Sequence, residues 1–455
     1  MTPVIPKWLE IAEKELGVHE IPGPKSEARI VQYHSSTWLT ATSDETPWCL
    51  TGDTEILTDE GWVRFDILGE QKVAQVNNGK IEFVQPIRKI EKDYDGHVFE
   101  INHASVQLIC DIGHRWFGHW DGLDKLPEFR TLDLMTTAGL MIPSCHADDN
   151  EFAIEDREIQ FLAAFLSDGS FKFTSNKEKP WRVQFEVSRQ RKIDRLNEFK
   201  PDHVYTQNRA YGNSKSPLTC FSFAYPDFIS NVCESYKVLK KSFVNSLSMR
   251  QAKLFLKEYS VFDGHQKSET GFQLYSSREN LRDDLITIAL RAGFIPRVTY
   301  NLSPISGRPC WTIRYSEAKR FTYIKKEHVE KAQFKGKLYC VEVPSSLIIV
   351  RGASLTPIIT GNCSAFTNWC MKQSGLKGTQ SAMARSWLKW GVGLTIPAFG
   401  CIVVMSRGDN TYSGHVGFWV GDSDEANIRV LGGNQSNSVS IANFPKAKVL
   451  GYRWA

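Results

Sequence analysis

The residues best suited to chemistry in this chain stand at two junctions far apart in the sequence. Cys49 follows Trp48, and Asn362 is followed at once by Cys363. A thiol is a strong nucleophile near neutral pH, so Cys49 can attack the carbonyl before it and turn the Trp48-Cys49 amide into a thioester. Cys363 can then take the acyl group by transthioesterification. The Asn362 side-chain amide can cyclise on its own backbone carbonyl and cut the bond to Cys363, and an S-to-N shift leaves an ordinary peptide. Residues 49–362 would depart, and the flanks would join as Thr46-Pro47-Trp48-Cys363-Ser364-Ala365-Phe366.

Four blocks around these junctions carry a family resemblance. Cys49-Leu50-Thr51-Gly52-Asp53-Thr54-Glu55-Ile56-Leu57-Thr58 is similar to the opening block of the Hint (Hedgehog/intein) family, and Ile109-Cys110-Asp111-Ile112-Gly113-His114-Arg115-Trp116-Phe117 to its histidine block. Leu338-Tyr339-Cys340-Val341-Glu342-Val343-Pro344 with Val350-Arg351-Gly352, and Ile358-Ile359-Thr360-Gly361-Asn362, resemble the closing blocks in a phage-type form. The resemblance implies that His114 hydrogen-bonds the scissile amide and protonates its leaving nitrogen. It also exposes three departures. Asp111 replaces the usual threonine, Gly361 the penultimate histidine, which implies slower asparagine cyclisation, and Cys340 the closing-block aspartate. Trp116, Cys340 and Thr360 fall where another intein class carries a Trp-Cys-Thr set whose cysteine forms the first thioester. Cys49 is nevertheless present, and it is expected to lead. No cofactor is expected for splicing.

Two segments of the intervening sequence resemble the paired helices of LAGLIDADG homing endonucleases: Phe161-Leu162-Ala163-Ala164-Phe165-Leu166-Ser167-Asp168-Gly169 and Leu256-Lys257-Glu258-Tyr259-Ser260-Val261-Phe262-Asp263-Gly264. That family implies Asp168 and Asp263 as metal-binding and catalytic carboxylates for Mg2+ at the scissile phosphates, Lys241 as the lysine ahead of the second helix, and double-stranded DNA at a homing site as partner. Trp181-Arg182-Val183-Gln184-Phe185-Glu186-Val187 and Trp311-Thr312-Ile313-Arg314-Tyr315 alternate like strands that lie in a DNA groove. Glu258 stands where close helix packing takes glycine or alanine, so a loosened helix pair and a degenerate nuclease are expected.

Joined across the junction, Trp48-Cys363-Ser364-Ala365-Phe366-Thr367-Asn368-Trp369 resembles the nucleophile segment of papain-like cell-wall hydrolases of the NlpC and CHAP kind. There a cysteine opens a helix whose N-terminus lowers its pKa. Ser413-Gly414-His415-Val416-Gly417-Phe418 matches the strand carrying the base, and Gly432-Gly433-Asn434-Gln435 offers Asn434 to orient the imidazole. The resemblance makes peptidoglycan the substrate. The interruption is expected to keep residues 1–48 from the rest of this fold and so hold the hydrolase inactive before splicing.

These residues require a multidomain scaffold, and 455 residues allow about three domains at roughly 150 each. The expected units are 1–48 (host, N-terminal part), 49–150 (all-β Hint, N-terminal part), 151–330 (α/β LAGLIDADG insert), 331–362 (Hint, C-terminal part) and 363–455 (α+β papain-like host, C-terminal part). Trp8, Ile11, Ala12, Leu16 and Val18 are spaced like one face of a short helix over residues 6–21, ahead of Pro22-Gly23-Pro24. Asn77-Asn78-Gly79 marks a turn between short alternating strands. A net charge of +4 is too mild to demand a nucleic-acid partner. Ten cysteines without a Cys-x-x-Cys pair suit reduced thiols in a cytoplasmic precursor, with the spliced host reaching the cell wall by some export or lysis route. Neither a signal peptide nor a membrane span is expected. The competing reading is a splicing-deficient multidomain DNA-binding or endonuclease protein.

Overall fold

The computed structural model describes residues 5–19, 27–34, 49–77, 79–111, 114–117, 128–130, 140–173, 180–207, 217–302, 307–317, 321–345, 347–361, 366–379, 384–406, 414–435 and 438–455. It is a strand-rich, mixed α/β, multidomain chain. Strand Val329–Glu342 runs antiparallel to Arg88–His103 over its full length, from Val329 opposite Ile101 to Glu342 opposite Arg88. Leu50–Thr51 and Val106–Asp111 complete a closed barrel with them. Val106, Leu108 and Cys110 alternate inward with Phe99, Ile101 and Trp116, which gives this body its core. A second sheet carries Glu55–Thr58, Val73–Asn77, Leu347–Arg351, Ile358–Gly361 and Arg115–Phe117. Gly352 closes the gap between the two. A Cβ there would lie 1.7 Å from the Gln107 carbonyl oxygen, so only glycine fits.

The pairing moves one expected boundary. Strand Phe321–Ile324 pairs with Leu140–Pro143, and the barrel strand begins at Val329. A domain edge between residues 330 and 331 would cut a continuous ladder.

Within the insert the order helix, strand, strand, helix, strand, strand occurs twice. The first half has helices Asp156–Asp168 and Gln190–Glu198, and the second Met249–Asp263 and Glu279–Arg291. Each half has a four-stranded antiparallel sheet of the same spatial order. Ser248 caps the third of these helices by accepting from the Gln251 N–H at 3.1 Å. One core joins both halves through Ala163, Ala164, Phe165, Ala252, Phe255 and Tyr259. Gly169 and Gly264 follow the acidic helix ends where the chain turns tightly into a strand; a Cβ would lie 2.6 Å from Phe165 Cδ2 at the first and 2.5 Å from the Gln273 carbonyl oxygen at the second.

The C-terminal sheet orders Val392–Leu394, Val449–Trp454, Ile402–Ser406, Gly414–Asp422, Asn427–Gln435 and Ser438–Pro445. Helix Phe366–Gln373 packs on it. The expected separation of residues 1–48 from this body is not what the structure has. Leu9, Ala12 and Tyr33 share one core with Phe366, Trp369, Trp387, Ile402 and Phe418. Trp8 Nε1 donates to the Gly400 carbonyl at 2.8 Å, and Tyr33 Oη donates to buried Glu15 at 2.7 Å. Burying these apolar surfaces is favourable whether or not the intervening chain has been removed. The predicted helix over residues 6–21 is shorter, Lys7–Glu13, because the chain turns through Gly17 at φ +88°.

Candidate functional sites

At the first junction Cys49 is fully buried beside Ile90, Leu338 and Cys340, with Tyr94 against the group. The register that pairs Leu50 with Tyr339 brings the two cysteines to the same level of the barrel. The Cys49 N–H donates to Asp111 Oδ2 at 3.1 Å, and the Asp111 N–H donates back to the Cys49 carbonyl at 3.1 Å. That N–H belongs to the amide that Cys49 would break. Burial pushes the Cys340 thiol up to about 12, and the Asp111 carboxylate adds to the rise. Cys340 is thus held as a thiol in this arrangement.

His114 is buried behind the same strand ends. Its Nε2 lies 2.7 Å from Thr360 Oγ1, and its ring meets Trp116 edge-on with centroids 5.2 Å apart. Thr360 and Trp116 are cross-strand partners. Asp111, which stands where the resemblance has a threonine, accepts the Cys49 N–H, the group that the resemblance assigns to His114. Asn362, Cys363 and Trp48 lie outside the described residues, with Asn362 directly following strand Ile358–Gly361.

In the insert Asp168 and Asp263 end the paired helices and share one ammonium group. Lys192 Nζ stands 2.6 Å from Asp168 Oδ2 and 3.8 Å from Asp263 Oδ1. Burial and the neighbouring Asp168 charge both raise Asp263. Lys237 Nζ donates to the Ser167 carbonyl at 2.9 Å. Burial lowers it to about 8, the nearby Arg278 adds to this, and Asp263 and Asp168 oppose it. Lys241, the lysine expected from sequence, is instead hydrogen-bonded to buried Asp284 at 2.5 Å. Lys192 and Lys237 replace it beside the acid pair; neither stood at the matched distance from the second helix. Glu258 does not loosen the packing. It is buried, and Arg195 grips it with Nε at 2.7 Å and Nη2 at 2.9 Å. Among the described residues no group of three or more His, Cys, Asp or Glu converges on a metal position. The two carboxylates, hard oxygen donors that repel each other, suit a Mg2+ completed by phosphate and water. Trp181, Tyr205, Tyr300 and Leu302 are exposed on the sheets.

In the C-terminal body His415 stacks on Phe444 with centroids 5.1 Å apart. Gln435 Nε2 lies 3.3 Å from His415 Nε2. Strand alternation cannot choose between Asn434 and Gln435, because the register shifts between Gly432 and Gln435; the Asn434 side chain lies outside the described residues. Gly433 lets helix Phe366–Gln373 approach, since a Cβ there would lie 2.4 Å from Phe366 Cβ.

The chain matches the ribonucleoside-diphosphate reductase subunit beta of Aquifex aeolicus with 23% identity over 69% of this chain and 50% of that protein. It matches the DNA-directed RNA polymerase subunit beta C-terminal section of Stigeoclonium helveticum with 21% identity over 74% of this chain and 38% of that protein. A short stretch is 34% identical to the ATP-dependent Clp protease proteolytic subunit of Chlamydomonas moewusii, over 16% of this chain and 7% of that protein. The chain thus spans half or less of the length of each of these relatives. Mesophilic variants of the homing endonuclease I-DmoI are similar over 36% of this chain and 89% of theirs, at 13% identity and TM-score 0.24. I-DmoI in complex with DNA and Mn is similar over 35% of this chain and 89% of that one, at 12% identity and TM-score 0.23. No helix among the described residues is long and apolar enough to cross a membrane. Residues 355–434, which include Cys363, His415 and Asn434, match the CHAP domain family, so a CHAP domain lies within this longer multidomain chain.

Proposed function

We propose that residues 49–362 are a self-splicing intein of the Hint type that joins Trp48 to Cys363, and that the product is a cysteine peptidoglycan amidase or endopeptidase. The observation carrying the reading is the Asp111 carboxylate on the Cys49 amide, with the Cys49 and Cys340 thiols in one buried cluster. Cys49 Sγ attacks the Trp48 carbonyl. The thiol gives up its proton as Sγ attacks; His114, fixed by Thr360, protonates the departing nitrogen as the C–N bond breaks, and the resulting amine is held by Asp111 while Trp116 walls the site. Cys363 Sγ next displaces the Cys49 thiolate. The Asn362 amide nitrogen attacks its own carbonyl to form a succinimide and frees the Cys363 amine, which takes the acyl group from sulfur. The partial matches to three relatives of unrelated name suit a segment carried within different hosts.

In the product Cys363 is the nucleophile, His415 the base, and Asn434 or Gln435 the group that orients the imidazole. The insert is read as a LAGLIDADG-type DNA-binding module. Asp168 and Asp263 would hold Mg2+, which would stabilise charge at the scissile phosphate. Lys192 balances the carboxylates, and the two sheets with exposed aromatic and basic residues face a duplex.

The test for splicing is thiol trapping. Asn362→Ala should stall the chain after thioester formation, and dithiothreitol should release residues 1–48. Release from Cys49→Ala/Asn362→Ala, or none from Asn362→Ala while folded, would refute the reading. Clearing of cell walls by the ligated host, lost in His415→Ala, tests the hydrolase.

A further inference from the structure

The insert's last helix reaches into the barrel body at the strands that lead to Asn362. Leu290, on helix Glu279–Arg291, is buried in a cluster with Leu57, Ala74, Leu347, Ile349 and Ile359. One turn and more away, Asp283 Oδ1 accepts from Arg351 at 2.8 Å. Arg351 is only 1% exposed, donates to Glu55 at 2.7 Å, and lies over the Trp62 ring at 4.4 Å. Trp62 Nε1 in turn donates to Thr287 on the same helix at 3.0 Å. Burial alone would raise the Asp283 carboxyl, but Arg282 and Arg351 hold it below the usual range, so it meets Arg351 as an anion.

Arg351 ends strand Leu347–Arg351, whose partner is Ile358–Gly361. That hairpin pairs Ile348 with Thr360 and Leu347 with Gly361, and Thr360 holds His114. We infer that helix Glu279–Arg291 is a brace of the closing hairpin, and that Asp283 and Leu290 are positioning residues for Thr360 and for the peptide that Asn362 must cut. The inference deepens the splicing reading and rests on it for its catalytic half. A buried guanidinium that loses one of two carboxylates is left with charge that the site no longer compensates. A cavity in place of Leu290 removes the apolar support under Leu347 and Ile359. The insert is then part of the splicing machine rather than a removable passenger.

Hydrogen exchange on a full-length Cys49→Ala/Asn362→Ala chain tests the brace without splicing. Adding Asp283→Asn or Leu290→Ala should speed exchange of residues 347–361 by about tenfold, while residues 156–187 keep their protection. Arg182→Ala, in the first half's sheet, should leave residues 347–361 unchanged. In the splicing-competent chain, Asp283→Asn should slow asparagine cleavage about tenfold relative to dithiothreitol release at Cys49. Unchanged exchange at 347–361 in both variants overturns the brace, as does equal loosening of 156–187. Faster exchange in a chain whose wild type never splices would uphold the brace and remove the splicing reading, so the two failures are distinguishable.

Discussion

Replacing Asp111 with alanine is the sharpest perturbation of the proposed first step. The carboxylate accepts the N–H of the peptide to be broken at 3.1 Å. A hydrogen bond to a charged group is worth about 1.5–3 kcal/mol. Only the strength that this bond gains as the nitrogen becomes an amine lowers the barrier, so its loss slows thioester formation by up to roughly tenfold to a hundredfold. An opposing effect is present, because Asp111 also helps to hold the Cys340 thiol protonated. Removing the charge eases ionisation of Cys340 and would speed any route that starts there. The two nucleophile assignments therefore predict different signs. With Cys49 leading, Asp111→Ala slows dithiothreitol release of residues 1–48, and Asp111→Asn, which keeps an acceptor, slows it less. The assay is a time course on the Asn362→Ala chain. Release at the wild-type rate or faster in Asp111→Ala would refute the reasoning.

Other perturbations have equally definite outcomes. Cys49→Ala should abolish N-terminal cleavage and Cys340→Ala only slow it, read on the same gel; normal splicing by Cys49→Ala would reverse the roles. Lys237 is lowered from 10.5 to about 8, so the folded insert binds this proton less tightly than the unfolded chain. The resulting penalty is full below pH 8 and is relieved as pH rises toward 10.5. Lys237→Met should therefore stabilise the insert at pH 7 by up to about 3 kcal/mol, and urea melts at pH 7 and 10 should show that gain fading. Arg195→Ala strands buried Glu258 and should cost about 3 kcal/mol at pH 7, less as the pH falls, because burial already raises the Glu258 carboxyl and eases its protonation. Gly433→Ala drives a methyl into Phe366 and should lower the host melting transition by about 1–3 kcal/mol, with loss of wall clearing.

What could be read from sequence was what chemistry ties to residue identity. Cys49, His114, Asp168, Asp263 and His415 stand out because few residue types can attack a carbonyl, accept a proton or hold a hard cation. Asp111 was hidden by the same habit, since its difference from a threonine looked like a defect until the strand register put it on the Cys49 amide. Lys192, on helix Gln190–Glu198, and Lys237, in the turn between strands Cys233–Ser235 and Val238–Leu239, reach the acid pair only through tertiary packing, and sequence spacing favoured Lys241. The two acidic helices of the insert were legible as a pair, but the repeated strand and second-helix order around each was not, because the halves keep burial and topology with different side chains. The docking of Leu9 and Tyr33 onto Phe366 joins residues more than 300 apart in the chain, and no local pattern records a contact of that range.

The central claim is that this chain cuts out residues 49–362 and reseals itself. Intact-mass and tandem mass spectrometry of freshly purified wild-type protein tests it most directly. Splicing yields an excised species of residues 49–362, a ligated species of residues 1–48 and 363–455, and a peptide that reads Trp48-Cys363 across the new bond. A folded chain that keeps its full mass, or flanks released without that joined peptide, would contradict it.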